Sequence, residues 1–352
     1  MKKFLCCYAK FKCGIIAEDN FIEIIDRFKS EFGLYYDICD INNVNGCDAR
    51  IYLVDEAFEN DLKSEEVRIH SSHSRNKKYL LTGKIYTQDD ANIFAYHKQE
   101  NQKVYYQIVN TNIKIFADTE QKNVYMSGDN IYDIFSYVFE TLLSINIEYN
   151  GGIQFHAACC EFNGNGYIIT GKSGSGKTSL LFDILKNGGY FHSNDRVAVF
   201  KEGEKYVAYS IPIPVNVPIK MMNTMEEWKS NDVVCNAKPG TKIRFLVNEL
   251  PILLGEKIVK KIDIQNIISV DYSDDEPSFK ILDNGNINDY IELLTPFDEN
   301  HPKWLKLFDY PDEDDAKAAV SEMNNNIKIL YVSGNDTFKA LNNYINSINA
   351  FK

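Results

Sequence analysis

Hydrophobic and polar positions along the chain recur with two different periods. Near the amino end, Phe21, Ile24, Ile25, Phe28 and Phe32 follow three- and four-residue steps. That is the stripe of an amphipathic helix packed on a sheet. From Lys78 onward the pattern shortens to Tyr79-Leu80-Leu81, Lys84-Ile85-Tyr86, Ile93-Phe94-Ala95-Tyr96, 104–109, 113–116 and Val124-Tyr125-Met126. Short β-branched and aromatic runs parted by turn residues predict an antiparallel meander. Residues 129–146 return to the helical period, with Ile131, Ile134, Phe135, Val138, Leu142 and Ile145 on one face. After Asn150-Gly151-Gly152, residues 155–162 read as a strand and Asn163-Gly164-Asn165-Gly166 as a hairpin turn. Tyr167-Ile168-Ile169-Thr170 then reads as a buried strand antiparallel to the one before. A helix with Leu180, Leu181, Ile184 and Leu185 on one face stops at Gly188-Gly189. Residues 190–200 and 206–209 read as strands, and the proline-punctuated 211–218 as an edge segment or a loop lining a site. Residues 326–332 form a last strand, and Phe338, Leu341, Ile345 and Ile348 a closing helix.

These elements divide into a β-rich α+β accessory domain for substrate or partner, residues 1–128, and an α/β core with a mixed sheet, residues 129–352. The helix at 129–146 is the expected bridge into that core. A length of 352 residues at 44% hydrophobic supports both. Tyr and Phe are plentiful beside few Gly and Pro, as in an ordered globular chain. The net charge of −12 argues against a nucleic-acid surface, since phosphate backbones select Lys and Arg fields. The eight cysteines form no C-x-x-C pair, and adjacent Cys6-Cys7 and Cys159-Cys160 suit a zinc site poorly. They read as reduced thiols. Met1-Lys2-Lys3-Phe4-Leu5 is mildly signal-like, but Lys10 and Lys12 break its apolar run. No stretch approaches the ~18 apolar residues of a membrane span, so the expected setting is cytoplasmic.

One stretch carries chemistry. Gly171-Lys172-Ser173-Gly174-Ser175-Gly176-Lys177-Thr178 fits the P-loop (Walker A) pattern G-x-x-x-x-G-K-[ST] at every fixed position, between a strand and a helix. Phosphate oxygens need many N–H donors on one concave surface, and the three glycines let the backbone curl toward them. The helix aims its unpaired N–H groups and positive dipole end at the anion. Gly171 through Thr178 and the adjoining Ser179 are thus the expected nucleotide contacts. Lys177 reaches the β/γ-phosphates and the Thr178 hydroxyl ligates magnesium. Asp195, near the end of a neighbouring strand, is the candidate second magnesium ligand, with a turn-capping aspartate as its plainer reading. Strand alternation puts His192 and Asn194 on one face and Asp195 on the other unless the chain bends there. Lys238-Pro239-Gly240-Thr241-Lys242-Ile243-Arg244-Phe245 either supplies a cation, Lys242 or Arg244, to a transferring phosphoryl group or is a solvated loop. His70, His73 and His97 lie among polar residues and read as exposed. The acidic runs Ser273-Asp274-Asp275-Glu276 and Asp312-Glu313-Asp314-Asp315 read as solvated loops or helix starts.

Residues 156–200 resemble HPr kinase/phosphorylase and its relatives, the HPr-kinase-like peptide kinases of modified-peptide gene clusters, and more distantly the phosphoenolpyruvate carboxykinase core. The matching residues are His156-Ala157, the loop from Gly171 to Thr178, Gly188-Gly189 and Asn194-Asp195-Arg196. The resemblance implies an HPr-kinase/carboxykinase-like P-loop core and transfer of phosphate from ATP, with magnesium, to a serine or threonine hydroxyl of a carrier protein or peptide. In the kinase reading His156 orients or deprotonates the acceptor; otherwise another carboxylate does that work, or the chemistry is slow, or the substrate is different. One position departs from it. The family's pair of aspartates, magnesium ligand and proton acceptor, is here Asn194-Asp195, and an amide cannot take a proton at neutral pH.

The expected function is an ATP- and magnesium-dependent kinase of a peptide or small protein, with catalytic residues His156, Asp195, Lys177, Asn194 and Arg244. Two other readings stand beside it: a nucleotide-binding regulatory or recognition module whose catalytic aspartate has degenerated to Asn194, and a kinase of a small molecule. The expected partner is the acceptor, with no nucleic acid and no membrane. Homo-oligomer formation is allowed by the sequence and not required by it, and ATP against GTP is left open.

Overall fold

The computed structural model describes residues 1–62, 66–71, 78–86, 92–172, 174–225, 228, 230–238, 240–282, 318–319, 321–323 and 326–349. His73, Ser173, Pro239 and the acidic run at 312–315 lie outside the described residues. The chain divides into two compact units, the first holding the described residues of 1–77 and 86–150, the second 78–85 and the described residues from 151 onward.

The chain begins with β1 (Lys2–Tyr8), β2 (Phe11–Ala17), α1 (Ile22–Phe32), β3 (Asp37–Asp40), β4 (Ala49–Leu53) and β5 (Glu66–Ser71). After β6 (Lys78–Leu80) and β7 (Ile85–Tyr86) come β8 (Asn92–Glu100), β9 (Lys103–Ile108), β10 (Lys114–Asp118), β11 (Asn123–Ser127) and α2 (Tyr132–Tyr149). The first unit is one sheet in the order β3-β1-β2-β4-β11-β10-β9-β8-β5. The expected meander is present as β8 through β11, each antiparallel to the next. The segment at 78–86 is not part of it: β6 pairs in parallel with a later strand, Lys242–Phe245, of the second unit.

The sequence reading places the domain boundary at 128 and makes 129–146 a bridge into the core. The chain divides after Asn150 instead. The reason is packing. Phe135 and Phe139 of α2 set their rings 5.2 and 5.0 Å from Phe28 of α1, and Phe139 also meets Phe11 of β2 at 6.1 Å. Interlocked aromatic rings of this kind bury large apolar area and commit a helix to its partners.

The second unit contains β12 (Ile153–Phe155), β13 (Ala158–Phe162), β14 (Asn165–Thr170), α3 (Lys177–Lys186), β15 (Tyr190–Ser193), β16 (Val197–Glu202) and β17 (Lys205–Ser210). It continues with β18 (Val215–Pro218), α4 (Ile219–Met222), α5 (Asp232–Asn236), β19 (Lys242–Phe245), α6 (Leu250–Leu254), β20 (Lys261–Tyr272), β21 (Ser278–Leu282), β22 (Lys328–Gly334) and α7 (Thr337–Asn349). Its main sheet runs β12-β16-β17-β20-β14-β13-β15, with β22 on β20 and β21 on β22. The long β20 pairs antiparallel with β17 through its first residues and parallel with β14 and β22 further on. The sheet is therefore mixed, as expected. Ile153, Phe155, Ile168, Val199, Ile264, Ile267 and Ile329 share its core. The hairpin between β13 and β14 turns at Asn163 and Gly164, both at positive φ (51° and 73°), the left-handed pair a two-residue turn needs.

Inside this unit His192 is fully buried, its Nδ1–H donating to the Val259 carbonyl at 2.8 Å. Burial pushes its pKa down from 6.5 to about 4. Between those values the unfolded chain binds a proton that the folded one refuses. The neutral histidine's contribution is therefore complete above the ordinary pKa and is lost as pH falls toward about 4, a loss of about 3 kcal/mol. Thermal unfolding followed from pH 7 to 4 is expected to show this slope, and His192→Gln to flatten it. An unchanged slope would assign the acid sensitivity to other groups.

Candidate active site

Three strand ends meet at one edge of the main sheet. β14 and β15 both pair antiparallel with β13, so both run the same way and finish beside its start. Ala158 faces Ile169, and Cys159 faces Ser193. The next residues outward are Gly171 after β14, Asn194 and Asp195 after β15, and His156 and Ala157 before β13. The sequence reading takes 155–162 as one strand and 190–200 as another, with a bend at 194–195 left as a condition. The chain interrupts both, at 156–157 and 194–196. β12 and β16, on the far sides of the two breaks, pair with each other instead. These breaks free His156 and Asp195 from the ladder and leave both half-exposed beside the glycine loop.

The loop's shape follows from its glycines. Gly171, Gly174 and Gly176 all hold positive φ. At Gly171 (φ 147°) an added Cβ would lie 2.4 Å from Ser175 Oγ and 2.6 Å from the Val270 carbonyl oxygen, so no side chain fits. The Ser175 N–H donates to the Lys172 carbonyl at 3.1 Å, and the Tyr272 N–H donates to the Ser175 carbonyl at 2.9 Å. The loop is thereby moored to the end of β20. Helix α3 starts at Lys177 with no side-chain cap, which leaves the first N–H groups turned toward the loop without an intrahelical partner.

Lys177 is nine-tenths buried, and its ammonium donates to the Gly171 and Lys172 carbonyls at 2.7 and 3.2 Å. Burial lowers its pKa, and the Asp195 carboxylate pulls the other way. Asp195 Oδ1 lies 3.4 Å from His156 Nε2. Asn194 is 9% exposed, and its Oδ1 has no hydrogen-bond partner among the described residues. The same holds for Ser175 Oγ in the loop and for Ser269 Oγ on β20, opposite Thr170 in the parallel register. Unpaired buried oxygens cost free energy unless something else satisfies them, and three of them border one loop.

Thr178 is half-buried in the first turn of α3, while Ser179 and Lys172 are exposed. Thus His156, Lys177, Asn194 and Asp195 come together with the loop. Arg244 does not join them by any described contact. It lies in a small four-stranded sheet, β18-β19-β6-β7, where its Nη1 donates to Asn216 Oδ1 at 3.5 Å. Ser269 was missed by sequence reasoning, because nothing local marks which strand lies beside the loop. Among the described residues, no three His, Cys, Asp or Glu side chains converge to hold a metal by themselves. A magnesium ion that keeps nucleotide oxygens and waters needs only one or two protein oxygens, and the hydroxyl of Thr178 and the carboxylate of Asp195 suit that role.

Fold and site together define a mixed α/β protein built around a strand, a glycine loop and a helix, with a histidine and a carboxylate at the neighbouring strand ends. A curated HPr kinase/phosphorylase from Mycoplasma mycoides subsp. mycoides SC is 30% identical to this chain over 139 residues, 39% of this chain and 41% of the relative. The resemblance to the HPr-kinase-like family is thereby shown, over a stretch that spans about two fifths of that relative's length. The solved structure of the Hpr(Ser) kinase/phosphatase from Coxiella burnetii aligns with 56% of this chain and 93% of its own, at 10% identity and a TM-score of 0.31. No family model matches the chain.

Proposed function

We propose that the protein is an ATP- and magnesium-dependent phosphotransferase acting in the cytoplasm on a serine or threonine hydroxyl of a peptide or small protein. The observation that carries this reading is the shared edge: the glycine loop with Lys177, the carboxylate of Asp195 and the imidazole of His156, 3.4 Å from that carboxylate. The curated relative's name supports the same chemistry. The β-rich first unit is the proposed acceptor-binding part.

When bound, ATP with magnesium supplies the phosphoryl group and part of the positive charge that offsets it. The loop N–H groups and the start of α3 cradle the phosphates, and Lys177 clamps them. Thr178 and Asp195 would hold the metal. His156 would accept the acceptor hydroxyl's proton as that oxygen bonds to the terminal phosphorus and the bond to the β-phosphate oxygen breaks, ADP leaving, and Asp195 would steady the resulting imidazolium. Asn194 cannot take that proton, and its buried Oδ1, without a partner among the described residues, positions the acceptor or a water instead. A loose transition state asks little of a base, so a histidine suffices where the relatives' pattern has an aspartate.

The test is phosphate transfer from ATP to candidate peptides, read on serine and threonine. His156→Ala is expected to slow transfer about a hundredfold while sparing nucleotide affinity. Asn194→Asp in that background is expected to restore much of the rate by putting a carboxylate back. Full activity in His156→Ala would end the assignment of the base. Saturable nucleotide binding with no product from any acceptor would favour the regulatory reading.

A further inference from the structure

The other flank of the loop carries different chemistry. Beside β14, away from β13 and β15, lie the parallel strands β20 and β22. His156 and Asp195 belong to the first flank. The second ends in Tyr272, whose N–H donates to the Ser175 carbonyl at 2.9 Å. Its side chain leaves the backbone beside Gly176, where an added Cβ would stand 3.3 Å from Tyr272 Cβ. The next residue is tied as well: the Ser273 N–H reaches the Gly334 carbonyl at 3.4 Å, and the Asn335 N–H donates to the Asp275 carbonyl at 2.9 Å. The root of the side chain is therefore held between the loop and the end of β22, yet Tyr272 is 54% exposed.

A nucleoside triphosphate is a charged tail with one flat aromatic end. If its terminal phosphate faces His156 and Asp195, the base leaves over the opposite flank. The residues there disfavour phosphate, because Asp274, Asp275 and Glu276 are all exposed just past Tyr272. They do not disfavour an uncharged base. We propose that Tyr272 is the stacking platform for the base of the bound nucleotide, a specificity feature that rests on the nucleotide reading of the loop. A ring face recognises any base, so the site takes adenine and guanine alike. Among the described residues, chain neighbours apart, nothing lies within 4 Å of a Cβ added at Gly174, which leaves room for the tail between the two flanks.

Calorimetric titration of magnesium-ATP, magnesium-GTP and inorganic tripolyphosphate into the full chain tests this. Tyr272→Ala is expected to weaken both nucleotides about tenfold and to leave tripolyphosphate within about twofold of the parent, and Tyr272→Phe is expected to restore nucleotide affinity. Parental ATP affinity in Tyr272→Ala would overturn the proposal. So would an equal loss of tripolyphosphate, which would make Tyr272 a support of the loop rather than a platform. A parent chain that binds none of the three would remove the nucleotide reading itself. Loss of all three in Lys177→Ala together with unchanged ATP binding in Tyr272→Ala would remove only the assignment of Tyr272.

Discussion

Lys177→Ala is expected to lower nucleotide affinity and turnover at least about a hundredfold while leaving the free protein as stable as before or slightly more so. The two halves of that expectation come from one observation. Lys177 is nine-tenths buried, and burial holds its pKa down, so the folded chain keeps a cation where the cation is poorly solvated. The carbonyls of Gly171 and Lys172 and the nearby Asp195 compensate only in part. A phosphate tail would supply the missing counter-charge at short range in a place largely screened from water, where a charge-assisted hydrogen bond is strong. Alanine removes the strain and the clamp together. Thermal unfolding with and without nucleotide separates them: the parent should gain stability as nucleotide is added, by ordinary mass action, and the variant should not. An unchanged nucleotide-dependent shift in Lys177→Ala would mean that the loop holds no triphosphate through this lysine.

The parts of the site that were legible in the sequence are the local ones. The hairpin at Asn163-Gly164, the strand behind it, the glycine loop and the helix are contiguous, and each is written in short-range chemistry: left-handed turn residues, a β-branched run and an apolar helical face. The bend between β15 and β16 was legible only as a condition, since no glycine or proline marks 194–196. It arises because Val197 onward pairs with β12 and β17, while Tyr190–Ser193 pairs with β13. The break after Phe155 has the same cause. The strand β20 went unread altogether. Its Ile262 and Ile264 alternate, but Ile267 and Ile268 are buried side by side where the strand is flanked by β14 and β22, and that blurs the period. With β20 unseen, Ser269 and Tyr272 had no context. At the amino end the alternation of Phe4, Cys6 and Tyr8 was present, yet a run weighed as a targeting signal conceals a strand. Lys78–Leu80 looks like one more rung of the meander, and only its pairing with β19, far along the chain, shows otherwise. Long-range pairing is what a single sequence states least directly.

Asp195→Asn is expected to cut phosphate transfer by about 10²–10³-fold and to abolish the gain in nucleotide affinity that magnesium brings. Asn194 sharpens this expectation. With an amide already at the first position of the pair, Asp195 is its single carboxylate, and a neutral amide oxygen is a weaker ligand for a hard divalent ion. The substitution reaches two further groups. His156 loses the carboxylate 3.4 Å from its Nε2, and the Lys177 ammonium loses the nearby charge that partly offsets its burial. Without magnesium the sign should reverse: a carboxylate beside a polyphosphate repels it, so Asp195→Asn should bind nucleotide in a chelator at least as well as the parent does. Titration calorimetry with excess magnesium and with chelator gives the four affinities needed, and their cycle isolates the coupling between metal and carboxylate. If the variant keeps the parental dependence on magnesium, the metal is held elsewhere. The edge where β14 and β15 finish would then be a phosphate cradle without a catalytic centre.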